Sequence, residues 1–232
     1  MPVIKLADLN KDALTCVPLH VGFIMDGNGR WAVAHGMSRA EGYAHGLVAL
    51  YKVAKRCRER GVEAVSVYAL STENLNRPEE ELQAIFKVVE KFNLTYDGEY
   101  KISYMGDFNS LDDKLASSIE QIEEKTRDNK GMWLNIAFNY GAKADILHAA
   151  KVAYDHGEFL EDTFEKHLSS SHLPPLDLIV RSGGEMRLSN FMLYEAAYSE
   201  LMFLDKLWPD MDESDVDRIL EDFDKRVRKF GK

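Results

Sequence analysis

The chain has 232 residues, with 29 lysines and arginines against 39 aspartates and glutamates, and a formal net charge of -10 at pH 7. With 45% hydrophobic residues and only 6 prolines, the composition is typical of a globular protein and excludes a disordered or fibrous one. The acidic balance argues against nonspecific nucleic-acid binding, because such binding needs a basic surface to neutralise phosphates. We expect residues 1–232 to form a single domain.

Short runs rich in β-branched and aromatic residues alternate along the chain with longer segments of helical periodicity. These runs predict strands at residues 20–25, 62–70, 100–105, 132–138, 176–180 and 201–204. Alternation over the whole length predicts an α/β fold with a mostly parallel central sheet of about six strands, flanked by helices.

Three helix starts carry local markers. Ser38 followed by Glu41 is a capping box, and Pro78, followed by three glutamates, predicts a helix with proline at its first position. Asp212 predicts the start of a C-terminal helix that runs to about Val227.

Cysteine usage and hydropathy indicate the compartment. The two cysteines, Cys16 and Cys57, lack the spacing of a metal site, which favours a reducing environment. No apolar run approaches the roughly 18 residues of a membrane span. We therefore expect a cytoplasmic protein, or one held peripherally at a membrane surface.

Polar and glycine-bearing segments follow three of the predicted strands. They are residues 26–31, 71–77 and 181–190. In an open α/β sheet, ligands bind outside the carboxyl ends of the strands. The three segments are therefore expected to bring one carboxylate, two glycine-bearing turns and four arginines to one rim.

The first two segments suit an anion. Gly27 and Gly29 permit a turn whose N–H groups face inward, and Arg30 adds charge-assisted hydrogen bonds. Arg39 and Arg77 stand at predicted helix N-termini, where unpaired N–H groups and the helix dipole already favour phosphate.

A second anion cradle is predicted after the fifth strand, from Arg181, Arg187 and Ser189. Asp26 is the natural Mg²⁺ ligand, because Mg²⁺ takes one or two protein carboxylates and fills its other positions with water and substrate phosphates. Glu200, before the last strand, is a second candidate acid. Two cradles predict two phosphorylated substrates.

Other nucleotide and hydrolase motifs are missing from the sequence. There is no GxxxxGK[ST], which excludes a P-loop, and no GxSxG nucleophile elbow. The stretch that begins DGNGRW fails as an EF-hand because Trp31 occupies the sixth position, where glycine is required.

The segments HVGFIMDGNGRW (20–31), STENLNRP (71–78) and DLIVRSGGEMRLSNF (177–191) closely resemble the motifs of the cis-prenyltransferases, the undecaprenyl diphosphate synthase family. YSEL (198–201) and LWPD (207–210) extend the match. The segments are long, ordered and spread over most of the chain.

This resemblance implies repeated addition of isopentenyl diphosphate to an allylic diphosphate primer such as farnesyl diphosphate, with release of diphosphate and formation of cis double bonds. The product would be a Z-polyprenyl diphosphate, the precursor of a polyprenyl or dolichyl glycosyl carrier lipid. The resemblance further implies Mg²⁺, a homodimer, a hydrophobic tunnel for the growing chain, and peripheral association with a membrane for product release.

Site residues carry over from the family motifs by position. Asp26 would bind Mg²⁺ and help the allylic diphosphate to ionise, with Glu200 assisting through the metal. The implied ligands of the allylic diphosphate are Gly27, Asn28, Gly29, Arg30, Trp31, Arg39 and Arg77. The implied ligands of isopentenyl diphosphate are Arg181, Arg187 and Ser189. Ser71 and Asn74 would lie near the proton that the isopentenyl unit loses, and Trp31, Leu47, Leu50, Ile85, Phe86 and Val89 would line the tunnel.

The chain departs from the family pattern at three positions. Tyr43 stands where many members have histidine, Leu75 where many have tryptophan, and Met186 where histidine is frequent. The tail RKFGK (228–232) resembles the Arg-x-Gly ending of some family subunits, with lysine in the arginine position, and would reach the partner's active site in a dimer.

Two further hypotheses remain open from the sequence. In the first, the chain is a noncatalytic subunit that stabilises another prenyltransferase chain. Such subunits are expected to lack the first motif, which is intact here. Alternatively it would be a Mg²⁺ phosphohydrolase with Asp26 as nucleophile, but Asn28 stands where that chemistry expects an acid.

Overall fold

The computed structural model describes residues 16–157 and 160–226, apart from the side chain of Asp162. The strands are β1 (His20–Ile24), β2 (Ala64–Ser71), β3 (Lys101–Met105), β4 (Trp133–Tyr140), β5 (Leu178–Arg181) and β6 (Glu200–Phe203). The α-helices are α1 (Asn28–Ala34), α2 (Arg39–Glu59), α3 (Glu79–Thr95), α4 (Asp113–Thr126), α5 (Ala142–Asp155), α6 (Glu161–Glu165) and α7 (Glu213–Asp224). Short 3₁₀ turns cover Thr72–Asn76, Glu195–Tyr198 and Trp208–Asp210.

All six strands belong to one parallel sheet with the order β3-β4-β2-β1-β5-β6. The predicted α/β class and the mostly parallel sheet of about six strands are confirmed. The chain moves to one side of β1 for β2, β3 and β4 and to the other side for β5 and β6. In such sheets the crevice at this reversal is where ligands bind.

Local signals place the helix ends close to their predicted positions. Ser38 forms the predicted capping box with Glu41, and Asp212 caps α7. Pro78 lies one position earlier than predicted: its ψ of 139° keeps it outside the helix, at the N-cap position, and α3 begins at Glu79. Helix α7 ends at Asp224; residues 227–232, which include the end predicted for that helix and the RKFGK tail, lie outside the described residues.

The strand register aligns four apolar side chains in one row across the sheet. Phe23 pairs with Val67, Val67 with Ile136, and Ile136 with Tyr104. Residues in register point to the same face, and all four belong to the main apolar core with residues of α2, α3, α4 and α7. The row therefore runs from β1 to β3 under these helices, over three strand spacings or roughly 14 Å.

A buried chain of polar side chains crosses the same four strands near their amino ends. His20 Nδ1 lies 2.9 Å from the Pro174 carbonyl oxygen, so it carries the proton, and Nε2 lies 2.7 Å from Ser66 Oγ. Ser66 accepts from Asn135, and Asn135 accepts from Ser103. The polar side chains of this interior row are thus paired with one another, as burial requires.

No α-helix in the described ranges is both long enough and apolar enough to cross a membrane.

Candidate active site

A cavity of about 470 Å³ opens at the carboxyl ends of β1, β2 and β5, under helices α2 and α3. Among the residues predicted to bind the two diphosphates or Mg²⁺, or to lie near the lost proton, all except Trp31 and Glu200 line this cavity. They are Asp26, Gly27, Asn28, Gly29, Arg30, Arg39, Ser71, Asn74, Arg77, Arg181, Arg187 and Ser189. The three segments singled out in the sequence therefore meet in one place, because parallel strands end at one edge of the sheet.

Asp26 lies in the turn between β1 and α1, and each of its carboxylate oxygens faces an arginine. Arg30 Nη2 lies 3.2 Å from Oδ1, and Arg181 Nη2 lies 2.9 Å from Oδ2. The turn depends on Gly27, whose φ of 114° caps α1 in a conformation that side chains with a Cβ rarely adopt. The carboxylate is thus placed among cations and stays partly open to the cavity.

Arg181, the last residue of β5, organises the loop that follows it. Its side chain is only 5% exposed, and its Nη1 donates to the Arg187 carbonyl oxygen at 2.6 Å and to Ser189 Oγ at 2.7 Å. Ser189 and Asn190 have φ values of 50° and 65°, a costly conformation for residues other than glycine. These bonds, with those of Asn190 to α5 and Glu73, hold the loop in its strained shape.

Gly183 allows the first and third segments to approach each other. Its φ is 88°, and a Cβ at this position would lie 2.5 Å from Arg30 Nη2 and 3.1 Å from the Asp26 carbonyl oxygen. A larger residue would displace the Arg30 guanidinium and press on the Asp26 backbone. The glycine is therefore required by close approach as well as by backbone conformation.

A second group of side chains holds two further rim arginines, Arg39 and Arg77. Glu81, in the first turn of α3, bonds Arg39 Nη1 through Oε2 at 3.1 Å and Arg77 Nη1 through Oε1 at 2.9 Å. Tyr43 donates its hydroxyl to Glu81 Oε1 at 2.5 Å and accepts from Arg77 Nη1 at 2.8 Å. Burial, followed by the bond to Glu81, raises the pKa of Tyr43 to about 12, so the phenol stays protonated.

Sequence reasoning did not assign a role to Glu81, although its position four residues after Arg77 is the spacing of a helical ion pair. It also missed Tyr68, which lines the cavity, stacks on Phe191 with ring centroids 4.8 Å apart, and donates to the Ser189 carbonyl oxygen at 3.2 Å. Nothing local in the sequence distinguishes Tyr68 from other strand aromatics.

Beyond the charged rim, the cavity is lined by apolar side chains of α2, α3 and the sheet. They include Leu47, Leu50, Val67, Leu70, Ile85, Val88, Val89, Phe92, Tyr104 and Ile136. Four of the residues expected along a tunnel, Leu47, Leu50, Ile85 and Val89, lie in this part. Phe86 does not line the cavity and packs on Phe138, with ring centroids 5.8 Å apart.

Trp31 lies outside the cavity. Its indole Nε1 donates to Asp210 Oδ1 at 2.6 Å, and its ring stacks on His35 and packs beside His45. Trp31 therefore does not line the cavity, and its contact with the allylic substrate stays a prediction. The reason is helical phase: Trp31 points from α1 toward α2 and the Trp208–Asp210 turn.

Glu200 is not brought to Asp26 within the chain. It is the first residue of β6 and pairs in register with Leu178, the first residue of β5, whereas Asp26 follows the carboxyl end of β1. The Glu200 carboxylate pairs instead with Arg226 at 2.7 Å. A shared metal site of Asp26 and Glu200 is a prediction that one chain by itself does not support.

The donor set at the rim fits Mg²⁺ when the metal is bound together with diphosphate. Asp26 is the acidic residue that lines the cavity, and the described ranges contain no group of three or more metal-ligating side chains. A single carboxylate is too little for a metal held by protein alone. It suits Mg²⁺, which typically takes one or two carboxylates with substrate phosphates and water.

The fold and the site together define an α/β protein in which an arginine-rich anion rim joins an apolar pocket. The family model described as "Putative undecaprenyl diphosphate synthase" matches residues 24–231. The isoprenyl transferase of Fusobacterium nucleatum is 40% identical over 93% of this chain and 96% of its own length. That of Thermotoga maritima is 38% identical over 93% and 97%. The chain belongs to the undecaprenyl diphosphate synthase family of prenyltransferases.

Solved structures agree with this family. A lavandulyl diphosphate synthase from Lavandula x intermedia, in complex with dimethylallyl diphosphate, superposes with a TM-score of 0.86 at 32% identity and covers 93% of this chain and 99% of its own. A probable undecaprenyl diphosphate synthase from Campylobacter jejuni superposes with a TM-score of 0.80 at 30% identity over 94% and 100%. The protein is a transferase, and a purely noncatalytic or hydrolytic role finds no support.

Proposed function

We propose that the chain condenses isopentenyl diphosphate onto an allylic diphosphate primer, with farnesyl diphosphate as the expected primer, and releases a Z-polyprenyl diphosphate. The single observation that carries this proposal is the junction of the arginine rim with the apolar pocket. A polyprenyl diphosphate has the same two parts, a charged head and a long hydrocarbon tail. Dimethylallyl diphosphate, an allylic diphosphate, is the molecule bound to the related lavandulyl diphosphate synthase.

The primer end of the site is assigned to the rim around α1. Gly27, Asn28 and Gly29 form the turn that opens α1, while Arg39 and Arg77 stand at the starts of α2 and α3. Charge-assisted bonds from arginine suit the oxygens of a diphosphate. As the allylic C–O bond breaks, negative charge grows on the leaving diphosphate, and donors already in position stabilise it without reorganisation.

The isopentenyl diphosphate end is assigned to Arg181, Arg187 and Ser189. Arg181 Nε is buried and has no hydrogen-bond partner among the described residues, so this side still has an unused donor. The new C–C bond joins the isopentenyl unit to the primer carbon that loses diphosphate, and the isopentenyl unit then gives up a proton. Ser71, the last residue of β2, and Asn74 also line the cavity, and Ser71 Oγ accepts from the Asn74 backbone N–H at 3.2 Å.

Asp26 is the residue that would hold Mg²⁺. When bound there with diphosphate, the metal would act as a Lewis acid that neutralises the charge of the leaving group. Arg30 and Arg181 keep the carboxylate in place. The apolar pocket excludes water from the carbocation-like primer, because its walls offer few groups that hydrogen-bond water.

Three finer features complete the proposal. The product serves as precursor of a glycosyl carrier lipid, two chains associate as a homodimer, and the protein is cytoplasmic with peripheral contact to a membrane where the product leaves. These features follow from the family resemblance.

The test is incorporation of labelled isopentenyl diphosphate with farnesyl diphosphate and Mg²⁺. We expect a polyprenyl diphosphate that is labelled in proportion to the units added, and no product after chelation of the metal. The same assay with dimethylallyl and geranyl diphosphates decides the primer. Failure of the purified chain to incorporate label with any of the three primers would contradict the proposal.

A further inference from the structure

A single carboxylate joins two of the rim arginines. Arg39 and Arg77 come from different helices, and Glu81 bonds one through each of its oxygens, at 3.1 and 2.9 Å. A Cβ on Gly29 would lie 3.1 Å from Arg39 Nη1, so this guanidinium also packs against the turn that opens α1. Glu81 thus links α2, α3 and, through Arg39, the first motif.

Glu81 lies behind the arginines and does not line the cavity. Its side chain is 8% exposed, whereas those of Arg39 and Arg77 are 59% and 37% exposed. The described contacts of both arginines go through Nη1. A guanidinium has five N–H donors. The described neighbours of Arg39 and Arg77 do not use the donors at Nε and Nη2, so these donors can bind an anion.

Tyr43 completes the arrangement. Its hydroxyl donates to Glu81 and accepts from Arg77, so it closes a ring of three bonded side chains. Its raised pKa, about 12, keeps the hydroxyl proton available for Glu81. This tyrosine occupies a position where the sequence departs from the family pattern, and the structure gives that departure a specific partner.

We propose that Glu81, supported by Tyr43, is a positioning residue for the primer diphosphate: it orients Arg39 and Arg77 so that their free donors face the cavity. This inference rests on the proposed function. The physical gain is that two long, exposed side chains, which lose rotamer entropy when they are fixed, are ordered before the anion arrives. Ordering before binding lowers the cost of binding.

Glu81→Gln makes the inference testable because electrostatics alone predicts the opposite result. Removing the carboxylate makes the rim more positive by one charge, which by itself tightens anion binding. Loss of the fixed orientation of Arg39 and Arg77 weakens anion binding. We expect KM for the allylic diphosphate to rise on the order of tenfold, about 1.4 kcal/mol, with KM for isopentenyl diphosphate within twofold of wild type.

Two variants and one direct binding measurement complete the design. Tyr43→Phe removes only the hydroxyl and should raise the primer KM about threefold in the same direction. Glu80→Gln, an exposed neighbour on the same turn, is the matched control and should leave both KM values unchanged. Calorimetric titration with farnesyl thiolodiphosphate, an unreactive primer analogue, should give a Kd ratio equal to the KM ratio, while melting temperatures establish that the variants are folded.

The outcomes separate the two proposals. A primer Kd that is unchanged or lower in Glu81→Gln, or an equal rise in both KM values, overturns the positioning role. Absence of label incorporation by wild type overturns the proposed function instead, and the analogue titration still reports on Glu81. Tyr43→Phe keeps the inference testable if Glu81→Gln does not fold, since an unchanged primer Kd in that variant also contradicts it.

Discussion

Arg181 at the end of β5 donates from Nη2 to Asp26 Oδ2 after β1 at 2.9 Å, and this bond joins the two halves of the rim. The same guanidinium binds Ser189 Oγ and the Arg187 carbonyl oxygen through Nη1. One buried arginine therefore positions both Asp26, which we assign to the primer end, and the loop that we assign to the isopentenyl end. A change at either residue is expected to affect both.

Asp26→Asn should lower kcat by roughly 10²–10³ with farnesyl and isopentenyl diphosphates as substrates. The amide retains the size of the carboxylate but loses the negative charge that pairs with Arg30 and Arg181 and that would bind Mg²⁺. Loss of one electrostatic group in an active site typically costs this much. Steady-state label incorporation measures the change. Asp128→Asn, in the exposed turn after α4, is the control. Wild-type turnover by Asp26→Asn would contradict the assignment.

Arg181→Lys should raise KM for isopentenyl diphosphate about tenfold or more. A lysine ammonium is a compact point charge, whereas the Arg181 guanidinium serves acceptors in two directions at once. The strained φ of Ser189 would then lack its restraint. Initial rates against isopentenyl diphosphate measure the effect, with the exposed Arg127→Lys as control. Unchanged KM would show that this loop does not bind that substrate.

Tyr104→Leu should lengthen the polyprenyl product. Tyr104 lies in β3, the edge strand farthest from β1 on that side of the sheet. Its ring forms part of the cavity wall, and its hydroxyl donates to Asn93 Oδ1 at 2.6 Å. Leucine occupies less volume, so a growing chain would gain room where the ring stood. Thin-layer chromatography of the dephosphorylated products gives the chain lengths.

The matched control for chain length is Tyr104→Phe, which keeps the ring and loses only the hydroxyl, and we expect its product to resemble that of wild type. Both variants need a melting temperature, because Tyr104 is buried and truncation of buried side chains costs stability. Identical products from Tyr104→Leu and wild type would place the growing chain elsewhere.

Stability should fall as the pH is lowered from 6.5 toward 4, in part through His20. Burial lowers the pKa of this imidazole from 6.5 to about 4. Between these values the unfolded chain binds the proton and the folded one does not, so the free energy of unfolding rises with pH across the window. This difference between the two pKa values corresponds to about 3 kcal/mol in the free energy of unfolding.

Urea denaturation at pH 4.5, 5.5 and 7 measures this contribution by comparison with His20→Asn, which retains a donor for the Pro174 carbonyl. Burial also lowers the pKa of His172, and this effect is present in both proteins. The variant should lose less stability than wild type as the pH falls. Parallel pH profiles for the two proteins would refute the role of His20.

Much of the fold could be predicted from the sequence because its determinants are local. Alternating strand and helix patterns predicted the parallel sheet, and the capping residue Ser38 predicted the start of α2. The cavity residues followed from the rule that ligands bind at the carboxyl ends of parallel strands. Asp26, Arg77 and Arg181 could be assigned to one rim in this way without knowledge of any contact between them.

The tertiary structure alone decided which partners these residues have. Trp31 and Glu200 both lie in family motifs. The helical phase of α1 turns Trp31 away from the cavity, and the register of β6 places Glu200 at the amino ends of the strands. Glu81 and Tyr43 meet because α2 and α3 pack side by side over the sheet. Local sequence patterns specify elements and their ends, but helical phase, strand register and packing depend on contacts between residues far apart in the chain, so only the folded molecule determines them.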